Sequence, residues 1–248
     1  MKMSGRHAHE CGRDALNDDR AFQTITGVAA ILSAPLAFAS LLVGLIALDF
    51  NMDAFGEPRV IIHVVTRGDL LRSSVLLNLF GYYVLWLPSI LWLWNWLGPK
   101  HPAMTRLYSL CGLGYIALGA TGGAILSSVW PPLIQTYAQA PASEREFIAL
   151  TFAAITATVE GGVWSTPQNF LHGFWWLGMG GVLHRERRSL GTLTMILGAF
   201  ALLNSVGEVF DVEVFDMAGL FVTLLVGPLW HLWLGILVLS RPLSHADS

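Results

Sequence analysis

Six apolar runs, each long enough to cross a lipid bilayer, constrain the fold of this chain more than any other feature of its sequence. The runs are residues 22–48, 70–97, 104–129, 167–183, 190–206 and 217–239. Even the shortest would be about 26 Å long as an α-helix, close to the thickness of a hydrocarbon core. Because lipid offers the backbone no hydrogen-bond partner, a spanning segment must pair its own amides and carbonyls. The sequence therefore predicts an all-α fold, a polytopic membrane helix bundle with six transmembrane helices.

The low content of charged residues supports this class. Only 12% of the 248 residues are charged, whereas soluble domains carry about 25%, and the mean hydropathy is +0.58. The lipid bilayer is therefore the predicted partner of the outer surface. No basic patch with interleaved aromatic residues is present, which excludes nucleic-acid binding. The two cysteines exclude a disulfide framework, and nothing in the sequence determines the oligomeric state.

The distribution of basic residues predicts how the helices are oriented. Lysine and arginine concentrate in the cytoplasmic loops of membrane proteins. With six spans, every strong basic group falls on one side, namely the N-terminal tail, Lys100, Arg106, Arg185, Arg187, Arg188 and Arg241. We therefore expect a multi-pass protein of the cell inner (cytoplasmic) membrane with both termini cytoplasmic. Residues 1–21 and 242–248 are predicted to be tails, and residues 22–241 a single membrane-embedded domain.

One further segment, residues 147–163, is ambiguous. It has the length of a span but contains three threonines, Glu160 and a Gly-Gly pair. If it crossed the bilayer, the arginines at 185–188 would fall on the side opposite the basic tail. We therefore expect an external amphipathic or re-entrant helix that leads into the fourth span. That span is predicted to start near Pro167, since proline suits a first helical turn, and the third span is predicted to stop at Pro131.

Several motifs in the second half of the chain carry a family resemblance. They are NFLHGFWW at 169–176, the short basic turn that follows, LGTLTMILGAFALL at 190–203 and PLWHLWLGILVL at 228–239. In this order they resemble a bacterial family of small six-span integral membrane proteins catalogued as a domain of unknown function. The resemblance extends over residues 22–241 and implies the same topology, but it implies no catalytic residue. The polar insert at residues 51–67 departs from the family pattern.

Four polar residues are predicted to line one outward-facing pocket. His172 and Asn169 lie in the first two turns of the fourth span, on one helix face. Glu208 closes the fifth span and Glu160 precedes the fourth, so all four lie near the same outer level. Polar groups are costly in hydrocarbon unless paired, and a shared wet cavity would satisfy them together. The alternatives are an interhelical hydrogen bond for His172 and a hydrated helix end for Glu208.

His231 is a further candidate ligand-binding residue, deep in the sixth span. Pro228 should leave the Leu224 carbonyl without its helical partner. A bond from His231 to that carbonyl, or to a neighbouring helix, is the structural alternative to ligand binding. In either case we expect the imidazole to be buried against protein, because a ring exposed to lipid would lack partners.

Residue spacing predicts which helix faces are polar and which pack closely. Asn204, Glu208 and Asp211 follow i, i+4, i+7 spacing, so a continuous helix would place them on one face. The sequence GATGGAIL at 119–126 supplies small residues for close helix packing.

Three functions remain open at this point. The first is a small membrane protein whose polar pocket binds or passes a small molecule or cation. The second is a membrane-embedded, metal-dependent enzyme that uses His172, Glu160 and Glu208. The third is a structural or accessory membrane subunit. No phosphate-binding loop, HExxH, GxSxG or CxxC motif occurs, so no catalytic residue, cofactor or metal is assigned.

Overall fold

The chain folds almost entirely into helix. A computed structural model describes the backbone of residues 4–55, 57–65 and 67–241. It is 92% helical, and the described ranges contain no strand. The α-helices are α1 (Ser4–Ala47), α2 (Pro58–Val64), α3 (Gly68–Asn78), α4 (Leu87–Leu97), α5 (Pro102–Gln139), α6 (Ala142–Val159), α7 (Asn169–Glu186), α8 (Arg188–Phe210) and α9 (Glu213–Ser240). Two π-helical segments, π1 (Leu79–Tyr83) and π2 (Glu160–Gln168), and 3₁₀ turns at Met52–Phe55 and Val84–Trp86 complete the fold.

Six helical stretches are long and apolar enough to cross a membrane, as predicted. They are Asn17–Ala47, Gly68–Leu97, Pro102–Gln139, Ala142–Glu186, Arg188–Phe210 and Glu213–Ser240. This confirms the all-α class and the six spans of a multi-pass membrane protein. We call the end of the bundle with residues 98–101, 185–188 and Arg241 the basic end. The opposite end, with residues 208–216, is the acidic end.

The second span is broken near its middle, between α3 and α4. The helix widens through π1 and then tightens into a 3₁₀ turn. Pro88 has no N–H to donate to the Val84 carbonyl, and the Leu87 amide bonds that carbonyl instead. Pro88 therefore accounts for the 3₁₀ turn, and the distortion extends upstream through π1.

Two predicted helix ends are wrong. Helix α5 continues through Pro131 and Pro132, because Trp130 and Ile134 on either side are buried and keep the helix in line. No new helix starts at Pro167, which lies inside π2. The wider π turn shifts the hydrogen-bond pairing, so a residue without an N–H is tolerated there. As a result α6, π2 and α7 form one continuous stretch of 45 residues.

Helices α5 and α6 form a hairpin that is longer than a bilayer is thick. At 1.5 Å per residue α5 measures about 57 Å, nearly twice the hydrocarbon core. At the acidic end its last turns pack with α2 and α6 around a separate hydrophobic cluster that includes Ile62, Leu126, Trp130 and Phe152. Residues 147–163 are thus helical and continue without a break through π2 into the fourth span. This continuity excludes the re-entrant alternative, and an external helix stays a prediction.

The main core lies inside the bundle and consists largely of aromatic rings. Trp86, in the break of the second span, is fully buried at its centre. Six ring centroids lie within 6.2 Å of the Trp86 ring, those of Tyr115, His172, Trp175, Trp176, Trp230 and His231. The broken span is therefore tied to α5, α7 and α9 through a single side chain.

Candidate functional site

The two π-helical segments meet against α5. Tyr83 of π1 packs on Gly119, where even a methyl group would overlap the tyrosine ring. Trp164 of π2 packs on Gly122 in the same way and donates its indole N–H to the Gly119 carbonyl at 3.2 Å. The glycines of the third span therefore have the predicted packing role. Because π turns occur frequently at functional sites, their meeting point marks a candidate site.

A chain of hydrogen bonds starts where the π segments meet. The Tyr83 hydroxyl donates to Gln168 Oε1 at 3.4 Å, and Gln168 Nε2 donates to Asn169 Oδ1 at 3.5 Å. Asn169 Nδ2 donates to Asn204 Oδ1. Asn204 Nδ2 donates to the backbone carbonyl of Asp216 at 2.9 Å and to its carboxylate. We call these five residues the polar network; every donor in it points towards the carboxylate.

The polar network is largely enclosed by apolar helix surfaces. Gln168 is 4% exposed and Asn204 is 1% exposed, while Asn169 and Asp216 are half-buried. Glycine brings the helices close enough for these contacts, since a methyl group at Gly219 would lie 2.5 Å from the Asn204 backbone nitrogen. Amides buried at this depth are stable because each one is paired.

Two glutamates form a carboxylate rim beside the polar network. Glu208 is exposed at the end of α8, and its Oε1 lies 2.5 Å from where a Cβ on Gly161 would stand. Its charge acts on Glu160 and on Asp216. No ion pair within 4 Å joins any of these three carboxylates to a cation among the described side chains. The rim therefore offers acceptors and negative charge to an incoming molecule.

Asp211 does not share the face of Asn204 and Glu208, so that prediction is wrong. Helix α8 ends at Phe210, and Asp211 adopts a left-handed conformation with φ 54°. The left-handed residue turns the chain sharply into α9. Asp211 is exposed at the acidic end, outside the polar network.

His172 packs among aromatic rings and forms no hydrogen bond to the polar network. Its ring centroid lies 3.8 Å from those of both Tyr115 and Trp176, and only 1% of the residue is exposed. Neither ring nitrogen has a hydrogen-bond partner in the described part of the chain. The structure therefore connects Asn169 to Asp216 through the polar network and leaves His172 in the aromatic core. A pocket that also includes His172 stays a prediction.

His231 is fully buried against protein, as predicted. Its Nδ1 lies 2.7 Å from Ser33 Oγ on α1, and its Nε2 lies 2.8 Å from Ser89 Oγ on α4. Ser33 donates its hydroxyl hydrogen to the Ala30 carbonyl, so it accepts from the imidazole Nδ1–H. Ser89 then donates to Nε2. His231 is thus a neutral imidazole whose two hydrogen bonds join α9 to α1 and to α4.

The Leu224 carbonyl that Pro228 leaves free has a different partner from the one considered in the sequence. The Tyr82 hydroxyl donates to it at 2.7 Å. The Tyr82 carbonyl, which lies in the break of the second span, accepts in turn from the Tyr115 hydroxyl at 3.0 Å. The second span therefore satisfies the carbonyl that Pro228 frees in α9, and α5 satisfies a carbonyl in the break of the second span.

Sequence reasoning missed three members of the polar network: Tyr83, Gln168 and Asp216. The signal for Tyr83 was a Gly-Tyr-Tyr sequence in the middle of an apolar run. Asp216 lies twelve residues after Asn204, across a tight helical turn that brings the two together. Gln168 gave no signal, because its role depends on the π turn.

Other candidate sites have less support. Among the described side chains, no three His, Cys, Asp or Glu lie close enough together to hold a metal ion. A groove of about 840 Å³ lies between α2, α3 and the tip of the α5–α6 hairpin, but none of the predicted site residues lines it.

Comparisons with known proteins do not identify a family. No family model, no curated protein and no solved structure matches the chain. The resemblance to a six-span bacterial family stays a prediction.

Proposed function

We propose that the protein binds a small inorganic or organic cation at the polar network, either as a binding protein or as a step in permeation across the membrane. The observation that carries this proposal is the junction of π1 and π2, from which a directed hydrogen-bond chain runs to Asp216. Carboxylates and amide oxygens attract cations and N–H or O–H donors. The absence of a three-residue metal cluster among the described side chains favours a polar organic cation over a chelated metal.

The solute enters from the acidic end, through the carboxylate rim. Glu208 is exposed there, one helical turn after the buried Asn204. The protein lies in a bacterial inner membrane with its basic end on the cytoplasmic side, because lysine and arginine favour that side. Below the polar network the aromatic core is closely packed, so passage further requires a change of conformation.

Ligand-dependent unfolding of the purified protein tests this proposal. Choline, spermidine and K⁺ are the cationic probes, with glucose and glutamate as uncharged and anionic controls at constant ionic strength. A bound cation should raise the unfolding free energy by about 2.7 kcal/mol at one hundred times its Kd. Glu208→Gln should abolish this stabilisation.

Asp211→Asn is the matched control. It removes one charge from the same end, and asparagine tolerates the left-handed conformation of residue 211. Equal losses in both variants would indicate non-specific attraction by surface charge and contradict the proposed site. Stabilisation by no cationic probe would also contradict it, and recovery of a stoichiometric protein partner would then favour an accessory subunit.

A further inference from the structure

A second charged site lies at the basic end, remote from the polar network. Three cations lie just after the ends of the second, fourth and sixth spans: Lys100, Arg187 and Arg241. Each lies within three residues of the end of a span, where a membrane helix passes from hydrocarbon into the polar interface. This is the level of lipid phosphates.

Arg241 is held in place by contacts on two sides. Gln23 Nε2 donates to the carbonyls of Val238 and Arg241 at 2.6 and 2.7 Å, which fixes the end of α9 against α1. The guanidinium carbon lies 4.1 Å from the Trp96 ring centroid and 5.9 Å from that of Trp92. Tryptophan at this level is typical of the interface between lipid and water.

The positive charge in this cluster exceeds the negative charge. Glu186 accepts two hydrogen bonds from Lys100 Nζ, at 2.8 and 2.7 Å. Arg187 and Arg241 form no ion pair within 4 Å with a carboxylate of the described residues. Burial and then the charge of Arg187 lower the pKa of Arg241, while Glu186 acts in the opposite direction. Two positive charges therefore remain uncompensated.

One donor atom of the cluster is buried and makes no hydrogen bond within the described part of the chain. Arg241 Nη1 is buried and has no hydrogen-bond partner among the described residues. A buried charged donor without a partner is destabilising. An acceptor with negative charge, placed at phosphate level beside Trp96, would satisfy it.

We propose that Arg241, Arg187 and Lys100 bind the headgroup of one anionic phospholipid at the basic end. The phosphate accepts from Arg241 Nη1, and the acyl chains lie along the apolar surface next to Trp92 and Trp96. The level of the cations and the aromatic surface beneath them favour a lipid over a soluble anion.

Native mass spectrometry of detergent-purified protein tests the proposal, with phosphatidylglycerol and phosphatidylcholine as probes. One phosphatidylglycerol per chain should be retained in preference to phosphatidylcholine. Arg241→Gln and Arg187→Gln should each weaken its binding about five-fold, since a basic residue near the surface contributes about 1 kcal/mol. Arg241→Lys should retain part of the affinity, and unfolding midpoints in mixed micelles of detergent and phosphatidylcholine should show that all variants are folded.

Arg106→Gln is the matched control, because Arg106 is an exposed cation in the first turns of α5. It should leave the retained lipid unchanged; an equal loss would mean general surface attraction and overturn the proposal. Equal retention of phosphatidylcholine would overturn it as well. Inorganic phosphate should not displace the lipid, and displacement would indicate a soluble-anion site instead. These outcomes do not depend on the polar network, which lies at the opposite end.

Discussion

His172 and His231 provide a matched pair for testing what buried polar groups contribute to this fold. Both rings are buried and contact Trp86. Only His231 is hydrogen-bonded, to Ser33 and Ser89. Replacement by phenylalanine keeps an aromatic ring at either position and removes both nitrogens. The two variants should therefore differ in stability by the value of the hydrogen bonds.

We expect His231→Phe to lower the free energy of unfolding by about 1–3 kcal/mol. Interhelical hydrogen bonds in membranes average about 0.6 kcal/mol and reach about 1.7, and two are lost here. Ser33 keeps its bond to Ala30, whereas Ser89 loses its one side-chain hydrogen bond to the described residues. His172→Phe should be neutral or stabilising, because it removes two nitrogens that have no partner among the described residues.

Reversible unfolding in mixed micelles, followed by tryptophan fluorescence, measures both variants. A double-mutant cycle between His231→Phe and Ser89→Ala isolates one bond. Ser89→Ala should be costly in the wild-type chain and nearly neutral beside His231→Phe. Equal destabilisation by the two histidine variants, or additive effects of Ser89→Ala, would refute the assigned contacts.

Two further predictions concern helix packing and topology. Gly180→Ala should lower the unfolding midpoint, because its methyl group would lie 2.8 Å from the Met195 amide nitrogen. The methyl group of Gly181→Ala would meet nothing within 4 Å, so this variant should be more stable by up to about 1 kcal/mol. Thermal unfolding measures both variants, and similar shifts of the two midpoints would contradict the packing. Cysteines introduced at Ser189 and Glu213, in a chain without its natural cysteines, should be labelled from opposite faces of the membrane; labelling from one face would disprove the six-span topology.

The apolar pattern of the sequence determined the number of spans, and nearly all of each predicted run is helical in the structure. The ends of the helices were less predictable where the sequence contains proline. Pro131 and Pro167 act as helix breakers when only local hydrogen bonds are considered. In the folded chain, burial of Trp130 and the wider turn of π2 keep both helices continuous. These effects come from neighbouring helices, so the local sequence does not encode them.

The sequence by itself determined the fold class, the two differently charged ends and the need for partners at its buried polar residues. Only the tertiary structure decided which partners those are. Asn169 pairs with Asn204, and His231 pairs with serines on two other spans. His172 remains among aromatic rings, although its depth in the sequence suggested the polar pocket. The depth of a residue along a helix follows from its number. The direction in which its side chain points across the bundle depends on the rotation of that helix about its axis, and this rotation is determined by the packing of all six spans.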